Sequence, residues 1–134
     1  MSIEQNKQVA RTFFDRLSAG DISGALDMMT DDATWWIAGK AEQLAAAGDH
    51  SKEQMARLFD NMIGQLPNGL KMTVKSLTAE DDRVALEVES NGELRNGRVY
   101  NQEYHFAITM RDGKISGVRE YLDTQHVFAT WFQR

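Results

Sequence analysis

A hairpin near the carboxyl end of the 134-residue chain constrains the fold more than any other segment. Val99–Arg111 and Lys114–Asp123 each alternate between apolar and polar residues, as strands with two different faces do. Asp112-Gly113 joins them. Aspartate followed by glycine between two such segments is the strongest short hairpin signal, because both turn residues need a positive φ. We therefore predict two antiparallel strands joined by a tight turn.

The two faces of this hairpin differ in polarity. On the first strand one face is mainly apolar and the other polar: Tyr100, Tyr104, Phe106 and Ile108 against Asn101, Glu103, His105 and Thr109. On the second strand, Glu120 shares a face with Val118 and Leu122, because side chains alternate along a strand. We expect Glu103, His105 and Glu120 to form one polar row on the sheet.

Helical patterns dominate the first half of the chain. Ile3–Ala19 repeats its apolar residues at helical spacing. Asp21 is suited to cap a short second helix. Ser51, with Gln54 three residues later, carries the signature of a capping box and predicts a third helix. Residues 39–50 combine the glycines of a loop with the alanines of a helix, and both interpretations stay open.

Strands dominate the rest of the chain. Ala33–Ile37 is a short predicted strand in which Trp35 and Trp36 point to opposite faces, so only one of them can face inward. From Leu70 onward, four segments alternate as strands do, and the last two form the hairpin. Helices early and a run of strands late predict an α+β fold with an antiparallel sheet.

Composition excludes several classes of function. The length fits one domain, and the net charge of −5 argues against nucleic acid as a partner. The absence of cysteine excludes disulfides, thiolate metal sites and cysteine nucleophiles. The three histidines, His50, His105 and His126, are too far apart in sequence for a known metal motif, so we expect no metal. The first residues are polar and no segment has membrane-spanning length, so we expect a cytoplasmic protein without a membrane partner.

Three short strings resemble a known superfamily. Ala19-Gly20-Asp21, followed by Asp31-Asp32-Ala33-Thr34 and a tryptophan, resembles the first helices and strand of NTF2-like proteins. Asp112-Gly113-Lys114-Ile115 and Arg119-Glu120-Tyr121-Leu122-Asp123 resemble the closing hairpin of its SnoaL-like, polyketide-cyclase branch, and that of limonene epoxide hydrolase. The resemblance implies that residues 1–134 form one cone-shaped α+β domain. Three N-terminal helices would pack on a curved antiparallel sheet and enclose a pocket.

The resemblance also implies a set of site residues. The two catalytic aspartates of limonene epoxide hydrolase align with Glu120 and Glu89, and the arginine between them aligns with Glu87. The catalytic aspartate and tyrosine of ketosteroid isomerase align with Ile37 and Phe13, so its route of steroid isomerisation is not expected here. The aspartate that is the second hydrogen-bond donor of the ketosteroid isomerase oxyanion hole aligns near His105. We expect Glu120, Glu89 and His105 to be catalytic. The predicted ligand-binding residues are Trp36, Phe13, Ile37, Glu87, Asn101, Glu103, Val118 and Leu122.

Such a site would favour acid–base chemistry. Several carboxylates in a partly dry cavity cannot all ionise, so one of them should hold its proton near neutral pH. Two other interpretations stay open. Glu87 and Glu89 lie on a solvated face if Val88 and its apolar neighbours point inward. His105 is a structural residue if its ring bonds to the backbone.

The predicted assembly and function both assume a strand register in which the polar row of the hairpin faces the pocket. With the polar row in the pocket, an apolar row remains outside: Leu86, Val88, Tyr100, Tyr104, Phe106, Ile115 and Tyr121. So large an exposed patch predicts a homodimer through the outer sheet face. The resemblance implies a small, largely apolar ligand and an isomerase, cyclase or hydratase that needs no cofactor. The alternative is a ligand-binding or interaction module without catalysis.

Overall fold

The computed structural model describes residues 2–134. Helices and strands follow one another within this range in the order α1 (Ile3–Ser18), α2 (Ile22–Leu26), β1 (Met29–Ile37), β2 (Gly48–Ser51), α3 (Lys52–Gly64), β3 (Lys71–Glu80), β4 (Arg83–Glu93), β5 (Val99–Tyr100), β6 (Glu103–Arg111), β7 (Lys114–Leu122) and α4 (Thr124–Val127). A short π-helix, Phe128–Phe132, continues α4. No helix in residues 2–134 is both long and apolar enough to cross a membrane.

The predicted helix starts are confirmed by their caps. The Ser51 hydroxyl accepts a hydrogen bond from the backbone N–H of Gln54, whose side chain accepts one from the Ser51 N–H in return. Asp21 accepts from the backbone N–H of Gly24 at the start of α2. These bonds satisfy donors that the first turn of a helix leaves without partners, so the cap residues set where each helix begins.

The sheet is mixed, which corrects the expectation of an entirely antiparallel one. Its strand order is β2-β1-β7-β6-β4-β3, with β5 paired to β4. The pair β1–β7 is parallel, while the other pairs are antiparallel. Strands joined by a short turn must run in opposite directions, whereas β1 and β7 are separated by most of the chain and either direction is open to them. The undecided segment 39–50 ends in β2, which pairs with β1.

A β-bulge in the hairpin sets which side chains face inward. The turn is as predicted, with positive φ at Asp112 (53°) and Gly113 (82°). Pairing begins as Arg111 with Lys114 and then Met110 with Ile115. The next pair is Thr109 with Gly117, so Ser116 is an extra residue, and its hydroxyl donates to the Thr109 carbonyl oxygen at 3.2 Å.

The bulge shifts the rest of the hairpin by one residue. Glu120 pairs with Phe106, and Tyr121 pairs with His105. Without the bulge, Glu120 would lie opposite His105, as the predicted polar row required. A one-residue shift moves a side chain to the other face of the sheet, so the predicted polar row does not exist.

The apolar row predicted on the outside forms the core instead. Leu86, Val88, Tyr104 and Phe106 are at most 7% exposed and lie on the concave face. Of the residues expected to form that row, only Tyr121 is exposed at the surface. The homodimer stays a prediction, but the exposed apolar face from which it was inferred is absent from residues 2–134.

A cluster of aromatic rings links α1 and α3 to the concave face. The ring of Trp35 lies 5.9 Å from that of Phe13, 5.5 Å from that of Phe59 and 6.2 Å from that of Phe106. The ring centres of Phe14 and Phe106 are 4.7 Å apart. Edge-on and tilted ring contacts at these distances contribute beyond the area that they bury. The helices are therefore attached to the sheet through Trp35 and Phe106.

The C-terminal segment is attached to the sheet by one arginine. The Nη1 atom of Arg98 donates to the carbonyl oxygens of Ala129 (2.8 Å), Gln133 (2.7 Å) and, at 3.4 Å, Thr130. These carbonyls lie at the end of a helical segment, where the helix itself supplies no partner. Arg98 therefore performs the role of a C-terminal cap from outside the helix.

Arg98→Met is expected to loosen this segment, because methionine keeps an apolar side chain but donates nothing. Hydrogen bonds that involve a charged group contribute about 1.5–3 kcal/mol, and we expect a loss near the lower end because Arg98 is partly exposed. Amide hydrogen exchange should become faster in residues 127–133 before the sheet is affected. Arg95→Met is the matched control, since Arg95 donates to the Gly64 carbonyl at the end of α3. Unchanged exchange in residues 127–133 would contradict the proposed capping role.

Candidate functional site

A cavity of about 660 Å³ lies between the concave sheet face, α3 and the C-terminal segment. Its volume is in the range of pockets that hold small molecules. The wall is mainly aliphatic and aromatic: β1 supplies Trp35 and Ile37, α3 supplies Met55 and Phe59, and the C-terminal segment supplies Trp131. Among residues 2–134, the only side chain with a formal charge that lines this cavity is Glu120.

Glu120 is buried in this wall with one carboxylate oxygen bound. It is 9% exposed, and its Oε1 accepts a hydrogen bond of 2.8 Å from Nε1 of Trp35. The indole N–H can only donate, so Oε1 is held as an acceptor. Within residues 2–134 the structure gives Oε2 no hydrogen-bond partner. Glu120 therefore has one fixed oxygen and one that is open to accept or release a proton.

Burial raises the pKa of Glu120 from 4.5 to about 7, and the hydrogen bond from Trp35 opposes part of that rise. The physical cause is the loss of water around the charged form. Repulsion from neighbouring carboxylates was the expected cause, and that part of the prediction is wrong because Glu87 and Glu89 lie on the opposite sheet face. A carboxyl group with such a pKa exchanges its proton close to neutral pH.

Two phenols share the cavity wall with Glu120. Burial raises the pKa of Tyr100 to about 12 and that of Tyr104 well above its usual value. The negative charge of Glu120 adds to both shifts. Both side chains therefore stay neutral and keep their hydroxyl protons. They add polar groups to the cavity wall without adding charge.

Comparison with known proteins identifies the family. A family model described as a SnoaL-like domain matches residues 10–118. The chain belongs to the SnoaL-like family. No curated protein has a significant match to the sequence.

Solved structures share the fold of this SnoaL-like protein over nearly the whole chain. An NTF2-like protein from Burkholderia xenovorans is 26% identical, with 97% of this chain and 98% of that one covered and a TM-score of 0.76. An NTF2-like protein of unknown function from Burkholderia pseudomallei is 14% identical, covers 99% and 100%, and has a TM-score of 0.84. The BvnE pinacolase from Penicillium brevicompactum is 15% identical, covers 94% and 91%, and has a TM-score of 0.80. The α+β NTF2-like fold is confirmed.

The SnoaL-like domain places few of the predicted site residues together. Glu120, Ile37 and Leu122 line the cavity. Phe13 and Val118 are buried in the core without lining it. These positions correct the predicted ligand contacts of Phe13 and Val118: the aromatic cluster lies between α1 and the cavity, and Val118 pairs with Trp35 and Ile108 within the sheet.

Trp36 also faces away from the cavity, and Trp35 is the inward tryptophan. The Arg119 guanidinium carbon lies 4.0 Å from the centre of the Trp36 ring, and the Tyr121 ring lies 5.2 Å from it. Arg119 also donates from Nε to the Tyr121 hydroxyl at 3.2 Å. A cation over an indole face is favourable even near the surface. The predicted ligand contact of Trp36 is therefore wrong, and its packing is with the outer face of the sheet.

The other predicted polar residues lie on the outer face or its edge, away from the cavity. They are Glu87, Glu89, Asn101, Glu103 and His105. Glu89 accepts from the Asn101 amide at 2.9 Å, and Glu103 forms a salt bridge with Lys75 at 3.3 Å. Val88 and its apolar neighbours point inward, which is the alternative that strand alternation had left open. The prediction that Glu89 and His105 share a site with Glu120 is therefore wrong, because the register turns both away from Glu120.

Several cavity residues were missed from the sequence. Tyr100, Tyr104 and Phe106 were recognised as one row but assigned to the outside. The helical spacing of Met55 and Phe59 on α3 indicated an inward face without indicating a cavity. Within residues 2–134, no three acidic or histidine side chains are grouped so that they could hold a metal ion. The absence of a resident metal stays a prediction.

Proposed function

We propose that this SnoaL-like protein is a cofactor-independent isomerase, cyclase or hydratase that moves a proton on a small, largely apolar ligand. Glu120 is the acid–base group. The observation that carries the proposal is its buried carboxyl group in an apolar cavity, with Oε1 bound by Trp35 and Oε2 open. A pKa of about 7 lets the same group accept a proton and return it at neutral pH.

The charge of the cavity argues against an anionic ligand. Glu120 carries negative charge for part of the time, and the described residues that line the cavity include no lysine, arginine or histidine. A ligand carboxylate or phosphate would be buried beside Glu120 without a compensating cation, which is strongly unfavourable. The apolar wall and the phenols favour a cyclic or aromatic compound that carries carbonyl or hydroxyl groups.

Proton transfer at a carbon next to a carbonyl group fits this arrangement. Oε2 of Glu120 takes the proton, the electron pair of the broken C–H bond forms a carbon–carbon double bond, and the carbonyl oxygen gains the displaced pair. In a ligand whose enol is conjugated with a second carbon–carbon double bond, Glu120 returns the proton to the far end of the conjugated system and so isomerises the ligand. Attack of the enol carbon on a second carbonyl group closes a ring: the C=O electron pair moves to the oxygen of that group, which takes the proton from Glu120.

Hydrogen–deuterium exchange tests the proposal without knowledge of the natural ligand. β-Tetralone is a neutral bicyclic ketone whose exchangeable C–H groups are followed by NMR in D₂O. The protein is expected to accelerate this exchange, and Glu120→Gln is expected to reduce the acceleration by about 100-fold or more. Glu89→Gln is the matched control, because Glu89 lies on the outer face. Equal acceleration by the two variants, or none by the original protein, would refute the proposal.

The second candidate function is ligand binding without catalysis. It is favoured by the fact that Glu120 is alone: Glu89 and His105, the predicted partners, lie outside the cavity. In that case β-tetralone would change the NMR signals of Ile37 and Leu122 on binding, while the exchange rate at its carbon atoms would stay at the solvent value. Binding and exchange measured on one sample therefore separate the two functions.

A further inference from the structure

A chain of buried hydrogen bonds runs behind the cavity wall. The Ser90 and Tyr104 hydroxyl oxygens are 3.2 Å apart, and Tyr104 donates to the Tyr100 hydroxyl at 3.4 Å. Gln102 donates from Nε2 to the same hydroxyl at 3.4 Å. Ser90 and Gln102 are completely buried. Solvent water therefore cannot replace either of them as a hydrogen-bond partner in this network.

The orientation of the Gln102 amide is fixed by the backbone. Its Oε1 accepts from the backbone N–H of Glu103 at 3.0 Å and from that of Asp123 at 2.9 Å. Only the carbonyl end of an amide can accept two N–H groups, so the NH₂ end must face the other way. That end donates to the Asp123 carbonyl oxygen at 2.9 Å and to Tyr100.

The Tyr100 hydroxyl therefore accepts two hydrogen bonds from within the protein and keeps its own proton. The bonds from Tyr104 and Gln102 occupy its oxygen lone pairs. Within residues 2–134 the structure shows no acceptor for the Tyr100 proton. Since Tyr100 lines the cavity, the remaining direction for that proton is into the cavity.

The ring of Tyr100 is held on both sides. It stacks on His126 at 5.4 Å with an angle of 6° between the rings, and it meets Trp131 edge-on at 5.4 Å. His126 is itself fixed, because its Nε2 accepts from the backbone N–H of Asn101 at 3.1 Å. A donor that is already oriented loses little freedom when a ligand binds, and this strengthens its contribution.

We infer that the Tyr100 hydroxyl is the donor that binds the carbonyl oxygen of the ligand, and that Gln102 is the residue that positions it. The inference rests on the function proposed for Glu120 and extends it to the substrate class, an enolisable ketone. When Glu120 removes the proton, the carbonyl oxygen takes up negative charge, and the O–H group of Tyr100 stabilises it. The hydrogen bond shortens as charge develops, and the proton stays on Tyr100.

Infrared spectroscopy of bound β-tetralone tests the donor directly. A hydrogen bond from Tyr100 is expected to lower the carbonyl stretching frequency below its value in cyclohexane, and Tyr100→Phe should return the band to that value. Tyr121→Phe, on the outer face, is the matched control and should leave the band unchanged. Deuterium exchange should slow by about 100-fold or more in Tyr100→Phe, as for the loss of one oxyanion donor.

Gln102→Leu tests the positioning role, with Tyr100 intact. The carbonyl band should broaden towards the cyclohexane position, while the pH dependence of exchange, which reports Glu120, should not move. A purely structural role would lower the folded fraction and leave the band of the folded protein unchanged.

If Tyr100→Phe folds poorly, the carbonyl band of β-tetralone bound to the original protein still decides the question. A band at the cyclohexane frequency in the original protein overturns the inference, whether the ketone stays outside or Tyr100 does not donate. Exchange that depends on Glu120 but not on Tyr100 overturns the inference and leaves the proposed function intact.

Discussion

Glu120→Gln is expected to stabilise the protein by about 3 kcal/mol at about pH 8 and to have little effect at about pH 4. The folded-state pKa of Glu120, about 7, lies above its usual value of 4.5. The folded protein therefore binds the proton more tightly than the unfolded chain does. The stability that this proton gives is complete below about pH 4.5 and is lost as the pH rises through about 7. Glutamine has no proton to lose, and its side-chain oxygen can still accept the hydrogen bond from Trp35.

Urea unfolding across this pH range measures the effect. The quantity of interest is the difference in free energy of unfolding between Glu120→Gln and the original protein, because the other carboxylates affect both in the same way. This difference should rise between about pH 4.5 and pH 8. Glu89→Gln, on the outer face, is the matched control for the substitution itself. A flat difference for Glu120→Gln would mean that the carboxyl group has an ordinary pKa and is hydrated.

We expect Glu120→Gln to stabilise the protein and, at the same time, to remove its acceleration of deuterium exchange. A buried carboxyl group with one unbound oxygen is unfavourable for folding, so packing alone does not explain it. Substitutions that stabilise a protein while they remove activity are typical of active sites. The same variant therefore links the stability measurement to the exchange of β-tetralone.

Trp35→Ala is expected to cost about 3–5 kcal/mol, and Trp36→Ala about 1 kcal/mol or less. The two tryptophans are neighbours in sequence, but Trp35 is 2% exposed and packs against three aromatic rings, whereas Trp36 covers the outer face with Arg119. Removal of Trp35 leaves a large void next to the cavity and takes the hydrogen bond from Glu120. Urea unfolding of the two variants measures the contrast. Equal losses would contradict the strand orientation described here.

Trp35→Phe separates packing from the hydrogen bond. Phenylalanine keeps an aromatic ring in the cluster but has no N–H group, and the bond from Trp35 lowers the pKa of Glu120. The pKa should therefore rise further, and the exchange of β-tetralone should reach its maximum at a higher pH. Carbon NMR of the Glu120 carboxyl group follows the pKa directly. Trp36→Phe should leave both quantities unchanged.

The local elements of this protein were predictable because their signals are short-range. Ser51 and Gln54 complete a capping box within one turn of helix, and Asp112-Gly113 adopts the positive φ values that a tight turn needs. Such features depend on a few neighbouring residues and on backbone sterics. The resemblance of the closing hairpin to SnoaL-like proteins indicated the family in the same way. These parts were read correctly from the sequence.

The composition of the site depended on contacts that the sequence does not show. The extra residue at Ser116 shifts the pairing of the hairpin, so that Glu120 lies beside Phe106 and His105 faces outward. A bulge adds a residue to one strand and interrupts its alternation, so that Ile115 and Val118, three residues apart, are both buried. The sequence shows which residues are apolar but not where such an interruption lies. The parallel pairing of β1 with β7, which brings Trp35 beside Glu120, joins segments that are far apart in the chain. The sequence alone thus determined the helix caps, the hairpin turn and the family, but not β2 or the division of Val99–Arg111 into β5 and β6. Which side chains share its cavity was decided by strand register and by packing between distant segments.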